Sequence, residues 1–220
     1  MILLKDIEKA NNIRIITDDR SFANASALYT HILRLHKKVN LVSRNDTLKA
    51  SLSCIPWFDK VRLTSGSSAD LMIDMRLEKG SLYEFFKKEK IVVNKKMATA
   101  LYADYLQRYD SFLSDKVDGI VFASVSELIA YGAQYQLCNK MIMKSLSLSL
   151  IRLKSILFKK MFFKEDARLA IFEISLDDLK LSGASLEDVE VVMNEALNIA
   201  HVEKVVLLDA DDENKLLKLI

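Results

Sequence analysis

The stretch from Asn12 to Val42, NIRIITDDRSFANASALYTHILRLHKKVNLV, decides the fold. Asn12 to Thr17 (NIRIIT) is a short apolar run rich in β-branched residues and reads as a buried strand. From about Asn24 to His36, Ala25, Leu28, Ile32 and Leu35 recur every three to four residues, which is helical periodicity. Lys38 to Val42 then reads as a second strand. Strand, helix and strand at this spacing make a βαβ unit, which pairs its strands in parallel through a right-handed crossover.

Working outward, a third strand is predicted at Lys60–Leu63 and a fourth at Asp70–Asp74 (DLMID), separated by the loop-like Thr64–Ser68. A helix is predicted over Ser81–Lys88, with Ser81 as its N-cap and Glu84 at the capping-box position. Ile91–Val93 reads as strand or linker. Helices follow over about Lys95–Arg108, Asp118–Tyr131 and Gln134–Lys160; the SLSLSL alternation inside the last fits either period, and its length favours helix. Ala167–Leu176 alternates as a strand does, Leu186–Ala200 is helical with early acids, and Glu203–Leu208 is a further strand. The fold class expected is α/β, with a parallel-sheet N-terminal lobe (1–132), a helical linker (133–164) and a small C-terminal α/β lobe (165–220).

Composition sets outer limits. The chain has 220 residues, half of them hydrophobic, with 5 Gly and 1 Pro, so long regular elements are expected. A net charge of +2 does not mark a nucleic-acid or anionic-membrane partner. The apolar stretch from Met141 to Phe163 carries Lys144, Arg152, Lys154, Lys159 and Lys160, too many charges for a membrane span. No signal-peptide pattern follows the N-terminus, and Cys54 and Cys138 fit neither a disulfide framework nor a zinc spacing. Both are expected to be reduced, buried thiols of a cytoplasmic protein. His31, His36 and His201 have no partner cluster, and the paired lysines are scattered among acids as on a solvated surface.

Ligands of open parallel sheets bind beyond the carboxyl ends of the strands. Two such ends carry acids: Asp18 and Asp19 after the first strand, Asp74 at the fourth. They could share a hard cation, or they could simply cap a helix and end a strand.

The order of these segments, with MATALYADYLQRYDSF (Met97–Phe112) and the segment from Ala167 to Leu208, resembles the DHH phosphoesterases, the RecJ, oligoribonuclease and phosphoadenosine-phosphatase superfamily. The resemblance implies a DHH-like N-terminal lobe, a DHH-associated C-terminal lobe, and two divalent metals, usually manganese, between them. It also exposes departures. The first motif, His-x-x-x-Asp-x-Asp, falls on Asp18, Phe22 and Asn24. The second, an Asp at a strand end, is kept as Asp74, and the Asp-His-His segment is missing between Asp74 and Asn94. The fourth, an Asp, falls on Arg108, with Asp110 at the family's glycine. The sequence reaches Ile220 without the family's Arg-Ser-Arg-like strand or Gly-Gly-Gly-His loop, so the C-terminal lobe is expected to be truncated.

Two-metal hydrolysis needs several anionic ligands around two cations. Asp18 and Asp74 remain as a vestigial metal or ligand site. Phe22 is expected to fill ligand space with hydrocarbon, and Arg108 to repel a cation or to pair with Asp74 or Asp18. The expectation is therefore no enzyme, no cofactor and no metal: a pseudoenzyme used as a protein-interaction or regulatory module with a protein partner, homodimerisation being left open. Two alternatives stand beside it. One is a residual Mn- or Mg-dependent phosphoesterase acting on a small nucleotide or short oligonucleotide. The other is a metal-free binder of a nucleotide or other anion, with Arg20 or Arg108 as the cation.

Overall fold

A computed structural model of the chain describes residues 4–43, 47–63, 68–78, 80–143, 146–212 and 215–220. The chain divides into two compact units, Met1–Ser145 and Leu146–Ile220, each with its own hydrophobic core. Among the described residues, no helix is long and apolar enough to cross a membrane.

The first unit runs α1 (Leu4–Lys9), β1 (Asn12–Thr17), α2 (Phe22–Arg34), β2 (Lys38–Ser43), β3 (Val61–Arg62), β4 (Leu71–Asp74), α3 (Leu82–Lys88), α4 (Lys95–Arg108), α5 (Gly119–Ala130) and α6 (Tyr135–Cys138). The sheet order is β3-β2-β1-β4, with every pairing parallel. β1 is the central strand, and its Ile13 and Ile15 are fully buried. Ile15 stands level with Leu41 on one side and Ile73 on the other. Ile16 stands level with Asp74, so Thr17 and Asp18 leave the sheet beside the end of β4. That register, set by apolar residues, brings two distant acids to one sheet end.

α2 packs against α4. Small residues make this close approach feasible: Ala23 and Ala27 on α2, Ala100 and Ala103 on α4, are all fully buried. α4 is held at its start by Asn94, whose Oδ1 accepts from the Met97 N–H at 3.0 Å. The Ser81 cap of α3 forms as expected, with Oγ accepting from the Glu84 N–H.

The sequence between 134 and 160 is not one helix. It consists of α6, a π-helical turn at Asn139–Met143, and α7 (Leu148–Lys160), while residues 144 and 145 lie outside the described residues. Ser147 starts α7 afresh, its Oγ accepting from the Leu150 N–H at 3.0 Å. The stretch 133–164 is thus shared out: α6 and the π turn belong to the first unit, and α7 belongs to the second. Ile91–Val93 has no regular structure, and the loop expected at Thr64–Ser68 lies outside the described residues except for Ser68.

The second unit continues from α7 through β5 (Phe162–Lys164), β6 (Leu169–Ile174), α8 (Leu176–Ser182), α9 (Leu186–Ala196), β7 (Lys204–Asp209) and β8 (Leu216–Leu219). The sheet order is β5-β6-β7-β8, parallel only between β6 and β7. Leu153, Leu157, Phe172, Val192, Met193 and Val205 form its core. Capping boxes open both α8 (Ser175 with Asp178) and α9 (Ser185 with Asp188).

Asp178 also meets Lys160, 2.7 Å away. Burial alone would raise its carboxyl, but the Lys160 ammonium and the Ser175 donors outweigh burial and hold it below the ordinary value. A carboxyl depressed in the folded state stabilises above its unfolded value, and this contribution is lost as pH falls through the folded one. Asp178→Asn is therefore expected to destabilise the second unit by about 1 kcal/mol at neutral pH. The difference from the parent should shrink as both are acidified below the carboxylate range. Denaturation at pH 7 and pH 3 checks this; a pH-independent difference would refute the ionic part.

Candidate functional site

The end of β1 is braced before it turns into α2. Asp18 Oδ1 accepts from the Ser21 N–H at 2.9 Å and from Ser21 Oγ at 2.7 Å, and Ser21 Oγ lies 3.1 Å from the Asp18 N–H. Ser21 occupies the N-cap of α2 yet makes no side-chain bond to its first turn, so those N–H groups are not capped from within. Asp19 turns away and accepts from the Lys49 N–H at 2.9 Å.

At the end of β4, Asp74 accepts from the Arg76 Nε at 2.8 Å and Nη2 at 2.6 Å, a two-pronged charged contact. The third acid comes from α4. Asp104 is buried, and its Oδ1 accepts from Asn24 Nδ2 at 2.8 Å. Arg108, one turn further along α4, donates to Asp104 from Nε at 3.2 Å and from Nη2 at 3.1 Å. Burial pushes the Asp104 carboxyl above the ordinary value, against the opposing charge and hydrogen bonds of Arg108 and the amide of Asn24. Asn24 Oδ1 is buried without a hydrogen-bond partner.

These groups surround a cavity of about 220 Å³. Asp18, Arg20, Ser21 and Asn24 line it from the β1–α2 side, Met75, Arg76 and Glu78 from the segment after β4, and Asp104 and Arg108 from α4. The structure therefore brings Asp18, Asn24 and Arg108 to one cavity, while Asp74 is not among its lining residues and is bound by Arg76, which is. Phe22 is not among the lining residues. Its side chain is fully buried, edge-on to Phe58 with ring centroids 6.0 Å apart, so it belongs to the core. Arg108 was expected to meet Asp74 or Asp18; it is Arg76 that grips Asp74, while Arg108 grips Asp104.

Sequence reasoning missed Asp104 and Arg76. The signal for Asp104 was present: an acid inside the apolar run ATALYADYL, four residues before an arginine. Nothing local tied it to Asn24.

The donor set does not fit the two-metal centre that the DHH resemblance implies. Among the described residues, no group of three or more His, Cys, Asp or Glu is placed to hold an ion. Asp74 and Asp104 are each engaged by a guanidinium, which a cation would have to displace.

No family model matches the sequence, and no curated protein matches it significantly. Solved structures do match in fold. An exopolyphosphatase-related protein from Bacteroides fragilis superposes with a TM-score of 0.70 at 14% identity, covering 97% of this chain and 79% of that one. A Methanococcus jannaschii protein described as a family II inorganic pyrophosphatase reaches a TM-score of 0.30 at 12% identity, over 90% of this chain and 63% of that one, too low an overlap to carry an argument. The chain thus has an α/β fold of two units, with a parallel sheet in the first, the fold class expected from its sequence and shared with the Bacteroides fragilis protein. The comparison also corrects one expectation. The scaffold is shared with an exopolyphosphatase-related protein, which points toward an enzyme fold and overturns the expectation that the chain is no enzyme.

Proposed function

We propose that this chain is a divergent DHH-type phosphoesterase relative whose cavity binds the phosphate of a small phosphorylated molecule, such as a nucleotide or the end of a short oligonucleotide. The observation that carries this reading is Arg20. It lines the cavity, and among the described residues it has no ion-pair partner, unlike Arg76 and Arg108. It directly precedes Ser21, the N-cap of α2, whose first turn has no side-chain cap and whose N–H groups and dipole favour an anion. Arg76 and Arg108 reinforce the site, because a guanidinium has five N–H donors and keeps some after binding a carboxylate. Phosphate recognition by arginine asks for no bound cation, which suits a cavity whose acids are already engaged.

Calorimetric titration of the full chain with inorganic phosphate, pyrophosphate, adenosine monophosphate and a dinucleotide tests the proposal. Saturable binding without added metal is expected, weakening with salt. Arg20→Ala is expected to weaken it about 10- to 100-fold, the loss of one charged hydrogen-bonding partner. No binding to any member of the panel, or equal affinity in the variant, would overturn it.

A second reading, metal-dependent hydrolysis, is favoured by the shared fold and by two acids at the strand ends, Asp74, which the DHH motif keeps, and Asp18, which stands where that motif has its histidine. Its test is release of phosphate or mononucleotide with Mn²⁺ present. Turnover abolished by Asp74→Ala supports it; absence of turnover refutes it.

A further inference from the structure

A second cavity, of about 720 Å³, lies within the first unit at the start of α4. It shares no lining residue with the cavity described above. Arg108, which lines that one, ends the same helix, about 20 Å along its axis. Residues 53–59, residues 94–96 with Thr99, and two residues of the 134–137 segment enclose the larger cavity.

One side is apolar and firmly held. Ile55, Trp57 and Phe58 line it, with Leu137 contributed from α6. Trp57 has a φ of +69°, left-handed backbone that is strained for so bulky a residue. Two bonds to α2 keep it there. The Trp57 Nε1 donates to Thr30 Oγ1 at 2.8 Å, and Ser26 Oγ donates to the Pro56 carbonyl oxygen at 2.6 Å. Tyr29, also from α2, packs on the indole with ring centroids 5.3 Å apart.

The first turn of α4 brings charge. Lys96 Nζ stands 3.9 Å from the centroid of the Trp57 ring, a cation–π contact that places the ammonium against the apolar side. Lys95 lines the cavity beside it. Among the described residues, neither lysine has a carboxylate partner. Asp59 is the one acid among the described lining residues. Two ammonium groups against one carboxylate leave the lining a single net positive charge, which suits a ligand with a single negative one.

We propose that this cavity is a binding site for a small apolar monocarboxylate, whose hydrocarbon lies against Ile55, Trp57 and Leu137 and whose carboxylate meets Lys96. The size and the mostly apolar walls with a few polar groups are those of a small-molecule site. A doubly charged phosphate is a poor match, because the apolar side would strip its water and return no hydrogen bond.

Trp57 is the single tryptophan of the chain, so its fluorescence reports on this cavity directly. The test titrates the full chain with octanoate at pH 7, read by Trp57 emission and by calorimetry. Saturable binding by both readouts is expected. Hexanoate should bind about 10-fold more weakly, because two fewer methylenes leave water. Octanamide, the same chain without the charge, should lose about 5- to 10-fold, and so should octanoate binding to Lys96→Gln. Lys96 is exposed, so this variant should fold as the parent does. No saturable binding, or calorimetric binding that leaves Trp57 emission unchanged, would overturn the proposal. So would equal affinity for hexanoate, for octanamide or in Lys96→Gln.

Discussion

Arg108→Ala is expected to lower the stability of the first unit by about 3–5 kcal/mol near neutral pH, the cost of stranding a buried charge whose partner is removed. Arg108 donates to the buried Asp104 from two nitrogens, and the remaining partner, Asn24, brings no charge. The pH dependence carries a definite sign. Burial already raises the Asp104 carboxyl. A carboxyl raised in the folded state favours folding below its unfolded value, and that contribution is lost as pH rises through the folded value. Arg108 limits the loss by favouring the charged form. Without it, the deficit should be largest where Asp104 would be ionised and should shrink as acid neutralises it. Urea denaturation followed by circular dichroism at pH 7 and pH 5 reads both features. A deficit under 1 kcal/mol, or one independent of pH, would show that the pair is not energetically coupled. Replacing both partners by apolar residues of similar size should recover much of the stability, because no charge is then left buried.

Phe22→Ala is expected to cost the first unit about 3–5 kcal/mol, the range for deleting a large buried aromatic side chain. Phe22 is fully buried at the first position of α2, and its edge contact with Phe58 is lost in the variant. Phe22→Asp should be worse still, because it buries a carboxylate among hydrocarbons. This matters for the site. Position 22 matches an acidic ligand of the DHH motif, so the resemblance implies that an acid there would rebuild part of a metal site. The side chain here packs in the core, and the expected result is unfolding or aggregation without gain of metal binding. Thermal unfolding with and without Mn²⁺ distinguishes the two; a metal-dependent rise in the midpoint of Phe22→Asp would contradict the packing argument.

How much of the site was legible can be judged residue by residue. Asp18 and Asp74 were visible because each follows an apolar run that could only be a strand, and strand ends of parallel sheets are where ligands bind. Arg108 stood out through the DHH resemblance. Asp104 did not, since a single acid in a helix looks like a surface residue until the helix is known to be buried on nearly every side. The role of Phe22 was misjudged for a related reason. Its place in the motif suggested the cavity, but the first residue of α2 turns its ring toward Phe58.

Residue order alone determines the βαβ start, the parallel pairing and the division into α/β halves. These follow from hydrophobic periodicity and short crossover lengths, which act over a few residues. Only the tertiary structure decides that Asn24 and Arg108 converge on Asp104 and that Arg76, and not Arg108, grips Asp74. The bond of Asn24 to Asp104 joins helices remote in sequence, and the packing of α2 on α4 creates it; the two arginine pairs are local, but which acid each arginine takes depends on where the strand end and the helix lie. The strands β5 and β8 belong to the same category, because three- and four-residue edge strands exist only through pairing with β6 and β7.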